Sequence, residues 1–535
     1  PPTPPPKTLF PYPTLFRSRE AMKQNGHLYL EQEILVKDAL KVLNKEPDLQ
    51  PVTETEILKV IYRLVMQDSI VVEENRIYIT KQYQEEDDTA SMIARKLYER
   101  IPVLTIEKEL EEAQKDLNIT LSEQQKEAVR MVFANPISII TGGPGTGKTT
   151  VLKVILYIYQ KKCGNKVQLM APTGRAARRM AESTGSGDAT TMHMALGLFG
   201  DGDYEALIDE LSADFINVDE VSMVDMHLAY EFFYKVKAGA RVLLVGDVHQ
   251  LPSVGAGDVF RQLILCGKIP VTVLNLVYRQ GKDSNIPINA QLINEGKTNL
   301  QWGDDFQMIE CSGADAAAQI VKNIYLKEIQ VYGMEQVQIL SPYKVRSAAG
   351  VLELNRSLQD DVNPPVSGKQ ELHLGGEIFR EGDRILQNKN TEVASNGDLG
   401  TLVQISEDEE NNPIVQIVFT DGRRVKYEAE QVEMMEHANA ITIHKSQGSE
   451  CQVVIIPWLK AFYPMLKRNI FYTGITRAKL RVYIVGEWKA VCQAIHTDDT
   501  GTRKTMLAAK IQQYCERYQP QSNRQIPTTI CNWAV

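Results

Sequence analysis

Residues 142–149 read GGPGTGKT, and this short run indicates the fold class of the domain that contains it. It matches the phosphate-binding pattern G-x-x-x-x-G-K-[ST]. An apolar stretch that predicts a buried strand precedes it at residues 137–140, and a helix-like stretch follows at residues 151–162. Glycines let consecutive backbone N–H groups turn towards phosphate oxygens at a helix N-terminus, while Lys148 reaches the outer phosphates and the Thr149 hydroxyl can bind Mg²⁺. The sequence therefore predicts a nucleotide-binding α/β domain.

Two further predicted strands end in polar residues. Residues 215–218 (FINV) precede Asp219 and Glu220, and a third apolar run precedes GDVHQLPSVGAG, which carries Gln250. Because the carboxyl ends of parallel strands meet at one edge of a sheet, we expect these residues to converge on the phosphate-binding loop. One carboxylate can hold Mg²⁺ while its neighbour orients or deprotonates the attacking water. The pattern predicts ATP hydrolysis.

The composition disfavours several classes of protein. The chain has 535 residues, enough for about three or four domains. Its net charge of −9 argues against a protein that coats nucleic acid by bulk charge. The seven cysteines are scattered and form no CxxC pair, which disfavours a disulfide scaffold, a zinc ribbon and an iron–sulfur cluster. No apolar run is as long as a membrane span and the N-terminus has no signal-peptide pattern, so we expect a soluble cytoplasmic protein without a membrane partner.

The first hundred residues divide into a segment outside the fold and a small helical region. Residues 1–18 are crowded with prolines, repeat Thr-Leu-Phe and resemble translated adapter sequence joined to a truncated gene, so we exclude residues 1–20 from the fold. Thr53 and Glu56 have the spacing of a capping box, and residues 70–80 (IVVEENRIYIT) predict strand, turn and strand. Helices followed by a hairpin suggest a winged helix. A packing role and a nucleic-acid-binding role are equally compatible with this pattern.

Eight motifs occur in the order typical of superfamily I helicases. They are LSEQQKEAV (121–129), APTGRAARRM (171–180), ATTMHMAL (189–196), VDEVSMVD (218–225), GDVHQLPSVGAG (246–257), YRQ (278–280), ITIHKSQGSE (441–450) and YTGITRAK (472–479). Four segments within them, GRAARRM, DEVSMVD, HKSQGSE and YTGITRAK, together resemble the RecD-like DNA helicases of the 5′-to-3′ branch, in their stand-alone bacterial form. The resemblance extends over residues 26–507.

This resemblance implies an α/β fold with two RecA-like P-loop NTPase motor domains, a small SH3-like β insertion and an N-terminal helical, winged-helix-like region. Alternating patterns at residues 401–406, 414–419 and 424–427, the last two joined through Asp421 and Gly422, predict strands in the insertion. A β insertion without any DNA contact is the alternative. The predicted divisions are 1–20 (disordered or foreign), 21–115 (helical), 116–285 (first motor, with a pin near 196–212), 286–345 and 437–513 (second motor), 346–436 (insertion) and 514–535 (flexible tail).

The resemblance also implies which residues handle ATP and Mg²⁺. Gln125 would contact the adenine edge and Gln250 would sense the γ-phosphate. Tyr278 would stack on the base, although a core aromatic at a strand end is an equal alternative. The implied catalytic residues are Lys148, Asp219, Glu220, Gln250 and two arginine fingers, Arg279 and Arg477. The implied nucleotide contacts are Gln125, Gly142, Gly143, Pro144, Gly145, Thr146, Gly147, Lys148, Thr149, Thr150 and Tyr278, and the implied metal ligands are Thr149 and Asp219.

Single-stranded DNA is the implied ligand of a second set of residues. Hydroxyl and imidazole groups can bind phosphates without distinguishing bases. The residues in the DNA-facing motifs are Pro172, Thr173, Thr191, His193, His444 and Ser446. Arg175, Arg178 and Arg179 form either a phosphate-facing edge or a solvated helix face. Met194 stands where the family often has Arg, so one backbone contact is in doubt.

The sequence predicts an ATP-dependent helicase that moves 5′ to 3′ on single-stranded DNA and unwinds tailed duplexes in repair or recombination. We expect a monomer, with a single-strand-binding protein as a candidate partner. Three alternatives stay open: the ATPase subunit of a multisubunit exonuclease, the motor of a conjugative relaxase, and an RNA helicase. The second lacks a His-x-His metal pair here and the third a Cys/His-rich module, which makes both minor.

Overall fold

The structure is a computed structural model. It describes residues 25–44, 51–164, 166–185, 187, 189–198, 208–275, 284–345, 347–391, 393–410 and 412–518. None of the helices within these ranges combines the length and the apolar character that a membrane crossing needs. The predicted tip of the pin, Tyr278 and Arg279 lie outside the described residues.

The N-terminal region joins helices to a small antiparallel sheet. Its strands are β1 (Tyr29–Glu31), β2 (Ile70–Glu73) and β3 (Arg76–Ile79), in the order β1-β3-β2. Its helices are α1 (Gln32–Leu43), α2 (Glu54–Met66), α3 (Thr80–Leu97) and α4 (Glu107–Asp116). The capping box predicted at Thr53 and Glu56 starts α2, since each side chain accepts a hydrogen bond from the other residue's backbone N–H. The predicted hairpin is confirmed as β2 and β3.

The first α/β domain is a parallel sheet flanked by helices. Its helices are α5 (Glu123–Ala134), α6 (Lys148–Cys163), α7 (Gly174–Thr184), α8 (Met192–Ala195), α9 (Met226–Lys235) and α10 (Val259–Leu265). Its strands are β4 (Ile137–Gly142), β5 (Val167–Ala171), β6 (Ala189–Thr191), β7 (Phe215–Val218), β8 (Arg241–Gly246) and β9 (Val271–Leu274).

Strand order in this sheet decides what meets at its edge. The strands lie in the order β6-β5-β7-β8-β4-β9, and every neighbouring pair is parallel. The apolar runs predicted as strands are confirmed as β4, β7 and β8, all fully buried, as expected for parallel strands covered by helices. Because β7, β8 and β4 are neighbours, the three polar segments that follow them lie side by side.

The second α/β domain is a parallel sheet that is interrupted by an antiparallel insertion. Its helices and those that follow are α11 (Asn285–Asn294), α12 (Ala314–Tyr332), α13 (Val351–Val362), α14 (Arg468–Ile475), α15 (Trp488–His496) and α16 (Leu507–Tyr518). The strands of its parallel sheet are β10 (Phe306–Glu310), β11 (Val337–Ser341), β19 (Ala440–Thr442), β20 (Cys451–Trp458) and β21 (Ala478–Gly486), and their order is β10-β21-β20-β11-β19.

The insertion leaves this sheet after β11 and returns to it at β19. Its strands are β12 (Glu371–Leu374), β13 (Glu377–Arg380), β14 (Arg384–Gln387), β15 (Leu399–Glu407), β16 (Pro413–Phe419), β17 (Arg424–Glu428) and β18 (Met435–His437). Five of them form an antiparallel sheet in the order β17-β16-β15-β14-β18. The predicted hairpin through Asp421 and Gly422 is confirmed between β16 and β17. The predicted stretch at residues 401–406 is confirmed as part of β15, and the remaining four strands of the insertion were not predicted from the sequence.

Helix α16 packs against α3 around a buried ion pair. The Lys510 ammonium lies 3.7 Å from Glu86 and 3.3 Å from Asp87, and 3.8 Å from the centre of the Tyr83 ring. Glu86 also accepts hydrogen bonds from the Thr505 hydroxyl and the Met506 backbone N–H. Burial raises the pKa of Glu86 above its ordinary value of 4.5. Helix α16 is thus held against the N-terminal region through a buried carboxylate that needs its cation.

Replacing Lys510 with Ala should lower the free energy of unfolding by about 3 kcal/mol at neutral pH, because it leaves Glu86 buried without its cation. Protonation of Glu86 relieves that cost, so the loss should be smaller at about pH 5 than at about pH 8. Urea denaturation at both pH values measures it. Gln513→Ala, at an exposed position of the same helix, is the control. A pH-independent loss below about 1 kcal/mol would contradict the expected role of this ion pair.

Candidate active site

The phosphate-binding loop connects β4, which ends at Gly142, to α6, which begins at Lys148. Two of its glycines have no room for a side chain. A Cβ atom on Gly142 would lie 2.7 Å from a backbone carbonyl oxygen of β9, and one on Gly147, where φ is +85°, would collide with the Gln125 amide. The Lys148 ammonium donates hydrogen bonds to the carbonyl oxygens of Gly142 (2.6 Å) and Gly143 (3.0 Å). The loop therefore curves tightly around the lysine ammonium.

Gln125 supports this loop from the side of α5. Its carbonyl oxygen accepts a hydrogen bond from the Ser122 backbone N–H (3.0 Å), and its amide nitrogen donates to the Thr146 carbonyl oxygen (3.2 Å). Gln125 is only 3% exposed. Both ends of the side-chain amide thus contact the protein. Its contact with adenine stays a prediction, and the structure adds a role in holding the loop.

The paired acids lie directly after β7. Glu220 has a left-handed backbone (φ 52°, ψ 41°), an uncommon conformation for a residue with a side chain, and its backbone N–H donates to the Asp219 carboxylate at 2.8 Å. Burial and the adjacent Glu220 raise the pKa of Asp219 to about 6, while Arg179 and Lys148 oppose that rise. Adjacent carboxylates in a buried position favour a cation. The donor set fits Mg²⁺, which binds one or two carboxylates together with substrate phosphates.

The segment after β8 joins the two α/β domains. The buried Asp247 carboxylate accepts hydrogen bonds from the Tyr472 hydroxyl (2.8 Å) and the Gln250 amide (3.3 Å). The Leu251 backbone N–H donates to the Thr473 hydroxyl at 2.9 Å. Burial beside Asp247 raises the pKa of Tyr472 well above its ordinary value, so this phenol stays a donor. Tyr472 and Thr473 belong to α14 of the second domain, and both connect it to the predicted γ-phosphate sensor.

Arg477 lies at the end of the same motif. Arg477 is 3% exposed, and its guanidinium donates to the carbonyl oxygens of Thr473 (3.2 Å) and Ser449 (3.3 Å). This places a buried, permanently charged group of the second domain close to the helix that contacts Asp247. The position is compatible with an arginine finger, whose role stays a prediction.

The residues of the first domain that are predicted to contact DNA lie at the carboxyl ends of β5 and β6. Pro172 and Thr173 follow β5, and the Thr173 hydroxyl accepts a hydrogen bond from the Ala176 N–H and so caps α7. Thr191 caps α8 in the same way, and His193, two residues later, is exposed. Each threonine hydroxyl keeps its proton for another acceptor. These four predicted contacts therefore share one edge of the sheet.

The two residues of the second domain that are predicted to contact DNA differ in their exposure to solvent. His444 is half-buried, and burial together with the charge of Lys467 lowers its pKa, which favours the neutral imidazole. Ser446 is 1% exposed and its hydroxyl donates to the Ile443 carbonyl oxygen at 2.7 Å. In this conformation Ser446 supports the segment from within, and its predicted phosphate contact needs a rearrangement.

The arginine run of α7 faces other parts of the molecule. Arg178 forms ion pairs with Asp398 and Asp421 of the insertion, the latter at 3.2 Å. Arg179 forms an ion pair with Glu450 of the second domain at 2.8 Å. Arg178 and Arg179 thus form ion pairs within the protein, which neither of the two predictions, a solvated helix face or a phosphate-facing edge, included. The helix that starts with a predicted DNA contact thus connects three parts of the fold.

Arg503 was not identified from the sequence. Its guanidinium donates to the backbone carbonyl oxygens of Ser253 (2.6 Å), Gly255 (2.9 Å) and Gly257 (2.7 Å), and so holds the loop that follows Gln250. The same loop borders a cleft of about 630 Å³, whose wall includes His444. The contact joins residues about 250 positions apart, so no local sequence pattern predicts it.

Three family models match parts of the chain. An AAA domain matches residues 120–314, the ATP-dependent RecD-like DNA helicase SH3 domain matches residues 354–419, and the UvrD-like helicase C-terminal domain matches residues 437–485. The second of these models covers part of the antiparallel insertion described above. The order of the three along the chain follows the order of the two α/β domains and the insertion.

Known proteins match over longer stretches. The ATP-dependent RecD2 DNA helicase of Deinococcus radiodurans is 33% identical over 372 residues, which cover 69% of this chain and 50% of that protein. The RecBCD enzyme subunit RecD of Mycolicibacterium smegmatis is 28% identical, with 73% of this chain and 76% of the relative covered. Among solved structures, the Pif1 helicase from Candida albicans aligns over 75% of this chain and 100% of its own, at 18% identity and a TM-score of 0.45. The chain spans half the length of the Deinococcus relative.

Proposed function

The chain belongs to the RecD-like helicases, and from this premise we propose that it is an ATP-dependent DNA helicase that moves 5′ to 3′ on single-stranded DNA. One observation carries the proposal. The phosphate-binding loop, the acids after β7 and the polar segment after β8 lie on one sheet edge, and α14 of the second domain contacts that edge through Tyr472 and Thr473. A nucleotide site that two domains share converts hydrolysis into relative movement of those domains.

Each group at this edge has a task in phosphoryl transfer. Lys148 would bind the outer phosphates, and Thr149 and Asp219 would hold Mg²⁺, which when bound neutralises charge on the phosphate oxygens. Glu220 would orient the attacking water and accept its proton. The planar guanidinium of Arg477, together with that of Arg279, would stabilise charge that develops on the transferred group.

Coupling between the site and the DNA would run through the segment after β8. Gln250 shares the Asp247 carboxylate with Tyr472, so a shift of Gln250 towards the γ-phosphate changes a contact with the second domain. Single-stranded DNA would lie across Pro172, Thr173, Thr191 and His193 of the first domain and His444 of the second. Ser446 would join these contacts after a rearrangement. Hydroxyl and imidazole groups suit a sequence-independent grip on phosphates.

A second candidate function is that of a motor subunit in a multisubunit exonuclease. The similarity to RecBCD enzyme subunits, which covers 76% of the relative from M. smegmatis, favours it. We place the stand-alone activity first because the RecD2 helicase has the higher identity. We propose that the stand-alone enzyme acts as a monomer in the cytoplasm, with a single-strand-binding protein as a candidate partner.

Strand displacement tests this function and its direction. We expect the full chain with ATP and Mg²⁺ to unwind a duplex that carries a 5′ single-stranded tail, and to leave 3′-tailed and blunt duplexes intact. The direction rests on the family alone, because no phosphate-binding loop or arginine finger encodes it. Unwinding that requires a 3′ tail would refute the direction. ATP hydrolysis without unwinding of any tailed substrate would favour the subunit function instead.

A further inference from the structure

Arg179 of α7 lies between the two α/β domains and contacts a carboxylate of each. Its guanidinium is 3.8 Å from the carboxylate of Glu220 in the first domain and 2.8 Å from that of Glu450 in the second. Glu450 in turn lies 3.4 Å from Lys479, two residues after the predicted finger Arg477. These ion pairs form a continuous path from the predicted general base, across the domain boundary, to the segment that carries the finger.

Glu220 needs a group that fixes its side chain. Its backbone is left-handed, its side chain is 11% exposed, and the Asp219 carboxylate is its direct neighbour, so the two negative charges repel each other. Among the described residues, Arg179 is the cation within ion-pair distance of Glu220. Removal of this guanidinium leaves the direction of the Glu220 carboxylate without its electrostatic restraint.

The other end of α7 contacts the second domain as well. Thr173 caps this helix, and a Cβ atom on Gly448 would lie 3.0 Å from the Thr173 hydroxyl oxygen and 3.2 Å from the Cβ of Ala176. The segment with Gly448 and Glu450 thus follows α7 from its predicted DNA-binding end to Arg179. A movement of the second domain would therefore displace Glu450 relative to Arg179 and change the ion pair that holds this guanidinium.

We infer that Arg179 is a positioning residue that directs Glu220 towards the attacking water while Glu450 of the second domain holds Arg179. This role rests on the proposed ATPase function. In it, α7 links the docking of the second domain to the rate of ATP hydrolysis. A guanidinium suits the task because its separate N–H groups bind two carboxylates at once, which a lysine ammonium does with less directional control.

Steady-state ATP hydrolysis at saturating single-stranded DNA tests the inference in the full chain. For Arg179→Ala we expect kcat to fall about tenfold or more while KM for ATP stays within about threefold, because misplacement of a catalytic group affects the transition state and the phosphate-binding loop is untouched. Arg179→Lys should recover part of the loss. Glu450→Gln should also lower kcat. Adding it to Arg179→Ala should cause no further loss, because Glu450 is expected to affect turnover through its ion pair with Arg179.

Arg356→Ala is the matched control, because Arg356 also bridges two glutamates, Glu353 at 2.8 Å and Glu377 at 3.0 Å, away from the site. It should keep the parental kcat. Turnover of Arg179→Ala within threefold of an active parent would overturn the inference, as would a raised KM at unchanged kcat or independent, multiplying losses with Glu450→Gln. If Arg179→Ala does not fold, the Lys variant and Glu450→Gln decide by the same criteria. A parent without DNA-stimulated turnover would overturn the proposed function, and this role with it.

Discussion

Replacing Lys148 with Ala, or Glu220 with Gln, is expected to reduce DNA-stimulated ATP hydrolysis by roughly a thousandfold. Lys148 lies inside the curve of the phosphate-binding loop, so its loss removes the cation that meets the outer phosphates. Glu220→Gln keeps the size of the side chain but removes the carboxylate that accepts a proton from water. Steady-state phosphate release with saturating single-stranded DNA measures both effects.

The two variants should differ in how they bind ATP. Lys148→Ala should weaken binding because the ammonium contacts phosphate in the ground state too, whereas Glu220→Gln should bind ATP as the parent does. Lys161→Ala is the control, because Lys161 lies on the same helix, is 45% exposed and pairs with Glu112 away from the loop. Both active-site variants should melt near the parental temperature. If either variant hydrolyses ATP at a rate within threefold of the parent, the assignment of these residues to the active site is wrong.

The parts of this site that follow strand ends were predictable from the sequence. Such a pattern is an apolar run that is followed by glycines and a lysine, or by Asp219 and Glu220. It predicts both the strand and the chemical group at the end of that strand. Parallel pairing then brings those ends together, which is why the predicted residues of the first domain lie on one edge. The β16–β17 hairpin was also predictable from a local pattern, because its turn residues have a conformational preference of their own.

The contacts between domains were not predictable in this way. Tyr472 stands in a recognised motif, yet its hydrogen bond to Asp247 joins residues 225 positions apart. The partners of Arg179 and Arg503 were not predictable either. An arginine on a helix or in a loop is most often solvated, and tertiary packing determines which groups it contacts. The burial of Ser446 was likewise not predictable: its hydroxyl donates to a backbone carbonyl oxygen, and its contact with DNA stays a prediction. Local patterns predict elements and their ends, and domain docking decides which side chains then meet.

The strand-separating pin predicted near residues 196–212 has a firmly anchored base. Its tip lies outside the described residues, but its two flanks come together. A Cβ atom on Gly197 would lie 3.2 Å from a side-chain carbon of Ile208. Buried Lys235 holds both flanks, since its ammonium donates to the Leu196 carbonyl oxygen and its own carbonyl oxygen accepts from the Leu211 N–H, each at 2.8 Å. The described residues on the two sides of residues 199–207 therefore lie next to each other, as the base of the predicted pin requires.

Replacing residues 200–206 with two glycines should abolish duplex unwinding and leave DNA-stimulated ATP hydrolysis within about twofold of the parent. A motor that moves along one strand needs a wedge at the fork to displace the other strand, and none of the residues predicted to bind ATP or Mg²⁺ belongs to this segment. The shortened chain keeps Gly197, Ile208 and the contacts of Lys235, so the domain should fold. The same replacement of the exposed turn at residues 365–368 is the control and should unwind at the parental rate. If the pin variant still displaces the strand of a 5′-tailed duplex at that rate, the segment is a surface loop and the wedge lies elsewhere. If it loses ATP hydrolysis as well, the segment acts on the motor itself, and the division between movement and strand separation proposed here is wrong.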